Sequence, residues 1–392
     1  MRSAEWAPTC EAPLPTVRAA HYPGAMTSDR PVNYWDYIRV EELLDLQGGV
    51  DHDEGPLSND EVLFITVHQV FELWFKLILR ELRSARDLFV REHVAEQELS
   101  GAVRSLQRVA TIFRMCAPHF EVMETLTTRD YLEFRDKLMG ASGFQSAQLR
   151  EIEILFGLDE RDRISLGAQE GYMQALEAMD GTDSPAKVRV LRALADMPTL
   201  KEAIANWLYR TPIDGCGPED PQAEARLDGF VERFLAAHAK ATDRTCERAL
   251  VISTQADDHQ RLHERYAAEK QFVHDYLNPS PPDPHLRRVR TAMVFIETYR
   301  ELPLLAWPRQ VLDSLVQLEQ LFVIFRQRHA RMVERTIGRR MGTGGSSGVD
   351  YLDSTALAYR VFRDLWTVRT LQIPRAAAPN LEHAAFYGFR VE

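Results

Sequence analysis

The chain has 392 residues, of which 45% are apolar and 27% are charged, and its formal net charge at pH 7 is −11. This composition is that of a globular protein with a sizeable core. The acidic balance argues against a nucleic-acid-binding protein, because such a protein needs a basic surface to bind phosphates. The four cysteines lie far apart without a C-x-x-C pair, so we expect a reducing, cytoplasmic compartment. We find neither a signal-peptide pattern nor an apolar run of about 18 residues, and therefore expect no membrane span.

Residues 1–30 are rich in proline and show no sustained periodicity. We expect them to form a mobile arm that becomes ordered only against a partner surface. From Tyr34 onward, apolar residues recur at helical spacing. We therefore expect residues 31–392 to form one large helical domain.

The clearest helix start in the sequence is Ser58-Asn59-Asp60-Glu61, which has the S-x-x-E form of a capping box. The segment that follows, VLFITVHQVFELWFKLILRELRSARDLF, is apolar on nearly all sides in its first half. A helix that is apolar all round is a buried helix. We therefore expect the first half of this segment to lie inside the core.

Helical periodicity continues along the rest of the chain. It predicts helices over 103–121, 128–139, 144–156, 186–209, 222–249, 254–276, 286–300 and 309–339. We find no internal repeat and no convincing run of alternating strand residues. The predicted fold class is all-α.

Two histidines lie among apolar residues on predicted helices. His329 follows Phe322 and Phe325 on the apolar stripe of the helix over 309–339, and His68 lies one turn after Phe64. The pattern alone favours core histidines that bond to neighbouring carbonyl or carboxylate groups. A neutral imidazole in apolar surroundings is also well suited to bind the iron of a haem.

His259 and His263 form an i, i+4 pair that is compatible with a metal site. Their segment, DDHQRLHERYAAEK, is polar on most faces, so a solvated helix surface is the better interpretation. The chain has no H-E-x-x-H motif, which argues against a zinc protease.

Tyr131 and Arg135 lie one helical turn apart on the same face. An arginine beside aromatic residues offers a planar fork for a carboxylate, although an ordinary ion pair with a neighbouring acidic residue explains it more simply. The segment GTGGSSG, residues 342–348, lacks the spacing of a phosphate loop. It is either a lid over a site or a plain linker.

Four segments together resemble the tryptophan 2,3-dioxygenase family, a family of haem enzymes. They are YWDYIRVEELLDLQ, DEVLFITVHQVFELWFKLILREL, ETLTTRDYLEFRDKLMGASGFQS and FRQRHARMVERTIGRRMGTGGSSGVDYL. The segments occur in the family's order between about residues 34 and 370. The resemblance overturns the simpler interpretations of the two histidines and of Arg135.

The resemblance implies that His329 is the proximal ligand of one haem b per subunit. It makes His68 the distal, catalytic histidine that faces the indole N–H of the substrate, and Phe64 a ring that packs on the indole. Arg135 would bind the carboxylate of the amino acid, and Thr343 its ammonium or carboxylate group.

The resemblance further implies that Ser142 lies near haem and substrate and that Tyr131 helps to close the pocket. The family forms homotetramers in which an N-terminal segment reaches into a neighbouring site. On this basis Tyr34, Tyr37 and Ile38 would line the pocket of an adjacent subunit.

The implied reaction is insertion of both atoms of O2, the co-substrate, across the indole C2–C3 bond of L-tryptophan to give N-formylkynurenine, in tryptophan catabolism by the kynurenine pathway. One alternative is a related haem mono- or dioxygenase that acts on a modified tryptophan such as β-methyltryptophan. A second is a haem-binding sensor without catalytic activity.

Overall fold

The computed structural model describes residues 33–138, 146–164, 173, 176, 182–253, 256–340 and 348–388. Within these residues the chain forms α-helices and short 3-10 turns but no strand; the isolated bridge residues are Asp183 and the pair Ile213 and Cys216. This confirms the predicted all-α class. The division into an arm over 1–30 and one domain over 31–392 stays a prediction, because residues 1–32 lie outside the described part.

The helices follow one another along the chain with short connections. In order they are α1 (Tyr34–Tyr37), α2 (Val40–Leu44), α3 (Asn59–Val90), α4 (Glu96–Met123), α5 (Thr128–Phe134), α6 (Ala147–Phe156), α7 (Pro185–Ala195), α8 (Leu200–Tyr209), α9 (Ala223–Ile252), α10 (Ala256–Leu277), α11 (Pro284–Thr298), α12 (Ala306–Ile337), α13 (Val349–Ala358) and α14 (Arg363–Thr370).

The prediction of one helix over 186–209 is wrong, because a non-helical segment separates α7 from α8. Pro198 cannot donate a backbone hydrogen bond and disfavours helical backbone at the residue before it. Helix α7 therefore ends at Ala195, and α8 starts from a complete capping box of Thr199 and Glu202.

Helix α3 starts where the sequence predicts, but only half of the expected capping box forms. The Ser58 hydroxyl accepts a hydrogen bond from the Glu61 backbone N–H at 3.2 Å. The Glu61 carboxylate does not return to Ser58. It binds the Lys137 ammonium group, with N–O distances of 2.7 and 3.0 Å.

The expectation that the first half of α3 is buried is also wrong. Residues 62–70 are half-buried or exposed, and the run of buried side chains begins at Phe71. The first half borders a cavity of about 630 Å³ lined by Leu63 and Val67. Several of its apolar side chains, among them Leu63 and Val67, therefore lie half-buried at the edge of the core and line this cavity.

By length and composition alone, α3 is the one helix among the described residues that is apolar enough to cross a membrane. Its second half has another role, because Ile78, Leu82 and Phe89 are fully buried. Helices α4, α6 and α8 pack against α3. The apolar composition of this half is therefore that of a core helix.

The core is centred on α12, which packs most extensively against α4. The apolar stripe predicted on α12 is confirmed, since Leu312, Leu315, Leu318, Phe322 and Phe325 are all buried. The same stripe places His329 one turn after Phe325, facing inward. The main apolar cluster includes residues of α3, α4, α8, α11, α12 and α14, and a smaller cluster lies among α6, α7 and α13.

Glu319 joins α12 to α14 and to the chain segment just before α14. Its buried carboxylate accepts hydrogen bonds from the backbone N–H groups of Val361 and Phe362, at 2.6 and 2.9 Å, and from the indole N–H of Trp366. A buried carboxylate that accepts several N–H groups is stabilised in its charged form. Glu319 thereby holds this segment against the helix that carries His329.

We expect Glu319→Ala to lower the free energy of unfolding by about 3 kcal/mol, because it leaves three N–H groups without an acceptor. The midpoint of urea denaturation measures the loss. The matched control is Glu301→Ala, since Glu301 is exposed in the turn before α12, and an exposed substitution changes stability by at most about 0.5 kcal/mol. Equal midpoints for the two variants would contradict this role of Glu319.

Candidate active site

His329 lies at the inner face of α12, against two aromatic rings. Its ring is nearly parallel to that of Phe120, with centroids 5.4 Å apart, and to that of Phe325 at 6.5 Å. The side chain is half-buried, and no hydrogen bond joins either ring nitrogen to another described residue. An imidazole held by ring stacking alone keeps a nitrogen lone pair available to a ligand.

The electrostatics of His329 keep it neutral. Burial lowers its pKa to about 4, with smaller contributions from His68, then from Arg326 and Arg150. The imidazole is therefore uncharged at pH 7 and has the form that binds a metal ion. The contribution of His68 places it near His329, and the Phe71 and Phe325 rings, 6.1 Å apart between centroids, bring α3 and α12 together here.

His68 is held in one orientation by its own helix. Its Nδ1 lies 2.7 Å from the backbone oxygen of Phe64, and since a carbonyl only accepts hydrogen bonds, Nδ1 carries the proton. Burial lowers the pKa of His68, and the bond to Phe64 and the charge of Glu72 partly offset this. The His68 residue is nevertheless exposed, so its Nε2 is available as a hydrogen-bond acceptor.

An aromatic wall continues from His68 toward α5. The Phe64 ring lies 4.0 Å from the His68 ring, 5.5 Å from that of Phe134 and 6.1 Å from that of Tyr131, between centroids. Phe134 is buried and was not singled out in the sequence, because one phenylalanine among many carries no distinguishing signal. The wall suits a flat apolar ring.

Arg135 is the residue at which α5 gives way to the 3-10 turn Arg135–Leu138, and it is half-buried. Burial raises the pKa of Tyr131, and the guanidinium of Arg135 partly offsets this, so the two side chains are neighbours. Asp130, an acidic neighbour of Arg135 in the sequence, accepts a hydrogen bond from Thr127 at the start of α5. The predicted pairing of Tyr131 and Arg135 on one face is therefore realised next to Phe64.

The Glu61–Lys137 ion pair fastens this turn to α3, because Lys137 lies two residues after Arg135. Glu61 is only 8% exposed. Sequence reasoning assigned Glu61 to the helix cap and gave Lys137 no role. A pair of charges 76 residues apart leaves no mark that a local pattern can detect.

The remaining predicted site residues are not brought to this space by the described part of the chain. Ser142 and Thr343 lie outside the described residues, as do residues 342–347 of the glycine-rich segment. On α1, Tyr34, Tyr37 and Ile38 are 74%, 79% and 43% exposed. An exposed group of large apolar side chains marks a surface for a partner.

His259 and His263 do not converge on a common point. His259 Nε2 lies 3.1 Å from the backbone oxygen of Ser253, and His263 Nδ1 lies 3.8 Å from the Cys246 sulfur. No group of three or more metal-ligating side chains occurs among the residues that the structure describes. The solvated-helix interpretation of this pair is therefore the one that we retain.

Comparison with known proteins adds an independent line of evidence. A family model described as tryptophan 2,3-dioxygenase matches residues 20–372. The chain is 54% identical to a tryptophan 2,3-dioxygenase of Sorangium cellulosum, over 97% of this chain and 92% of that protein. It is 49% identical to tryptophan 2,3-dioxygenase 2 of Ralstonia nicotianae, over 93% and 99% of the two chains.

The similarity extends to animals. Tryptophan 2,3-dioxygenase B of Danio rerio is 32% identical over 89% of this chain and 84% of its own length. The family model covers most of the chain, including α3, α5 and α12, the helices that form the candidate site. The chain belongs to the tryptophan 2,3-dioxygenase family.

Proposed function

We propose that this chain is a haem-dependent dioxygenase that cleaves the indole C2–C3 bond of L-tryptophan with O2 to give N-formylkynurenine. One observation carries the proposal: in a chain of this family, His329 on α12 and His68 on α3 lie near enough to interact electrostatically, and an aromatic wall adjoins His68. A cytoplasmic location agrees with the cysteine usage and belongs to the same proposal.

The residues of the site fit a haem. His329 presents a neutral imidazole whose nitrogens bond to no described residue, and aromatic side chains surround it. It would hold the iron of haem b, with Phe120 and Phe325 fixing the plane of its ring. A bound haem supplies the site for O2 and the redox chemistry. The protein's own part is to bind and orient the substrate and to exclude water.

His68 is set up to accept a hydrogen bond from the substrate. Because its Nδ1–H donates to the Phe64 carbonyl, its Nε2 has a lone pair directed away from its own helix. The N–H of an indole is a donor only, so the two groups are complementary. The Phe64 ring, stacked beside His68, offers a face on which the indole ring packs.

Arg135 would bind the carboxylate of the amino acid. A guanidinium can donate two parallel hydrogen bonds to a carboxylate, which fixes orientation as well as affinity. The Glu61–Lys137 pair holds the turn that carries Arg135 against α3, so the distance from the carboxylate to the indole pocket is set by the fold. Such positioning converts binding energy into reactive geometry. Family resemblance adds Tyr131, Ser142 and Thr343 to the same pocket.

Assembly as a homotetramer forms part of the proposal. The exposed side chains of Tyr34, Tyr37 and Ile38 on α1 are suited to enter a neighbouring subunit's site. The chain just after α2 is tied to α3 near His68, since Gln47 donates to the Gln69 side chain at 2.6 Å and Gln69 donates to the Leu46 carbonyl at 2.8 Å. Exchange of this segment would therefore couple assembly to the pocket.

The product identifies the reaction. The purified protein, loaded with haem and reduced without oxygen, is mixed with L-tryptophan and O2, and the product is analysed by mass spectrometry. We expect a gain of two oxygen atoms with opening of the indole ring. A gain of one oxygen atom with the ring intact, turnover restricted to β-methyltryptophan, or a haem spectrum without turnover would each contradict the proposal.

His329→Ala should abolish the haem absorption spectrum, because the variant has no imidazole to bind the iron. The absorption spectrum of the purified, haem-supplemented protein reports this directly. The control is His274→Ala, since His274 is exposed on α10 and its loss should leave the spectrum intact. A normal ferrous haem spectrum in His329→Ala would refute the assignment.

His68→Ala should retain the haem and lose part of its activity, because the iron ligand remains while the acceptor for the indole N–H is lost. The preference for L-tryptophan over 1-methyl-L-tryptophan, measured as a ratio of kcat/KM, should fall in the variant, since the methylated substrate has no N–H to donate. An unchanged ratio would show that Nε2 of His68 does not accept this hydrogen bond.

Arg135→Ala should raise KM for L-tryptophan by about 100-fold, the effect of losing charged hydrogen bonds worth roughly 3 kcal/mol. Steady-state kinetics measure the change, with Arg129→Ala, an exposed arginine of the same helix, as the matched control. Tryptamine, which lacks the carboxylate, should bind equally to wild type and Arg135→Ala. A KM for L-tryptophan that stays within a few-fold of the control would exclude the carboxylate role.

A further inference from the structure

A separate cavity of about 240 Å³ lies among the end of α6, α8, α11 and the start of α14, and it shares no lining residue with the candidate active site. Six of its lining residues are charged. Four are cationic, Lys201, Arg290, Arg360 and Arg363, and two are acidic, Asp162 and Asp364. In a chain with a net charge of −11, this excess of positive charge is confined to a small volume.

Both carboxylates of the cavity are already paired. Asp364 lies 3.2 Å from Arg290, and Asp162 lies 3.3 Å from Arg363. Lys201 and Arg360 form no ion pair with any described carboxylate, and the Arg360 guanidinium lies over the Trp366 ring at 5.3 Å. Two positive charges therefore remain without a counter-charge from the described protein.

A further carboxylate stands near the rim without neutralising the cavity. The carboxylate of Asp159 interacts electrostatically with Lys201. It is bonded to Arg161, however, whose Nε and Nη2 lie 3.0 and 2.6 Å from its two oxygens. Asp159 is thereby committed to another cation. The charge of Lys201 stays available to the cavity.

The fold brings Lys201 to this place through a close approach of two helices. Gly157 ends α6 in the left-handed conformation, at φ 98°. A Cβ at this position would lie 2.9 Å from the Cβ of Lys201 and 2.9 Å from the hydroxyl of Thr199, so only glycine allows the contact. The packing of α6 on the start of α8 therefore holds the Lys201 backbone at the cavity.

The arginine on α11 is held in place on two sides. The guanidinium of Arg290 lies over the Tyr276 ring at 4.5 Å and donates to the Tyr276 carbonyl at 3.2 Å, besides its pair with Asp364. A guanidinium fixed in this way loses little conformational freedom when it binds a ligand.

We propose that this cavity is a binding site for a small phosphate-bearing anion. Arginine and lysine together are the side chains that bind phosphate oxygens, and two uncompensated positive charges match a dianion. The volume lies below the range of about 300–1,000 Å³ that encloses drug-sized molecules, which indicates a ligand of the size of phosphate or pyrophosphate. The source is either the free anion or the phosphate group of a nucleotide that projects from the cavity.

Occupancy of the cavity should be detectable as a stabilisation of the fold. Val361, one of its lining residues, donates its backbone N–H to Glu319 on α12 at 2.6 Å. An anion that binds Arg360 therefore holds the segment that Glu319 fastens to α12. A ligand that binds only the folded state raises the unfolding temperature in a concentration-dependent way.

The experiment measures the unfolding temperature and the heat of binding of the full-length protein with inorganic phosphate, pyrophosphate and adenosine monophosphate, against sodium chloride of equal ionic strength. We expect saturable binding at millimolar concentrations or below. Lys201→Ala and Arg360→Ala should each weaken binding by at least about tenfold, the effect of one charged contact. Tighter binding of the nucleotide than of phosphate identifies a nucleotide source; equal or weaker binding identifies the free anion.

The controls are Lys240→Ala and Arg248→Ala, which remove the same charges from exposed positions of α9 and should leave binding unchanged. Lys201→Gln and Arg360→Gln provide second variants that keep side-chain bulk. The readout needs neither haem nor tryptophan, so it is independent of the proposed oxygenase activity. Absence of saturable binding in the wild type, or equal weakening in the α9 controls, would overturn the proposal.

Discussion

The structure depends on one requirement of α12: a single face of this helix must fill the core and also present an imidazole whose nitrogen stays free. The apolar stripe through Leu318, Phe322 and Phe325 fills the core. His329 continues the same stripe, and stacking on Phe120 and Phe325 orients its ring without using a hydrogen bond. A core histidine normally satisfies its nitrogens with protein groups. Here the neighbours are rings, and burial keeps the imidazole neutral.

A buried cluster of charged side chains joins α12 to α6. Glu153 of α6 is 1% exposed and is bonded to Arg150, Arg163 and Arg326. Burial by itself raises the pKa of Glu153, but the three guanidinium groups outweigh it and bring the pKa to about 2. Glu153 therefore stays charged in the folded state, and its contribution to stability is present above the unfolded pKa of roughly 4.3 and is lost as pH falls toward 2. The pair with Arg326 joins α6 to α12 one turn before His329.

The sequence predicted the elements that periodic patterns describe. The long amphipathic helix α12, the start of α3 at Ser58 and the helical class follow from apolar spacing and capping residues, which act locally. The burial of α3 was mispredicted, because an apolar side chain looks the same in sequence whether it fills a core or lines a cavity. The break at Pro198 was also missed, since its neighbours on both sides are good helix formers.

Some residues of the candidate sites could likewise be predicted from local sequence patterns, and others could not. Tyr131 and Arg135 share a face because they are one turn apart, and that spacing can be counted. The functions of His329, His68 and Arg135 came from family resemblance, since their local patterns favoured ordinary structural roles. The Glu61–Lys137 pair and the cationic cavity formed by Lys201 and Arg360 come from distant parts of the chain. Only the folded structure brings such residues together.

The central claim is that the nitrogen of His329, kept free by the packing of α12, is the ligand of the haem iron. Resonance Raman spectroscopy of the ferrous protein labelled with ¹⁵N-histidine tests it most directly. We predict an iron–histidine stretching band that shifts on labelling in the wild type, and that no longer shifts in labelled His329→Gly supplemented with unlabelled imidazole. A band that still shifts in this variant would assign the iron to another histidine and contradict the account.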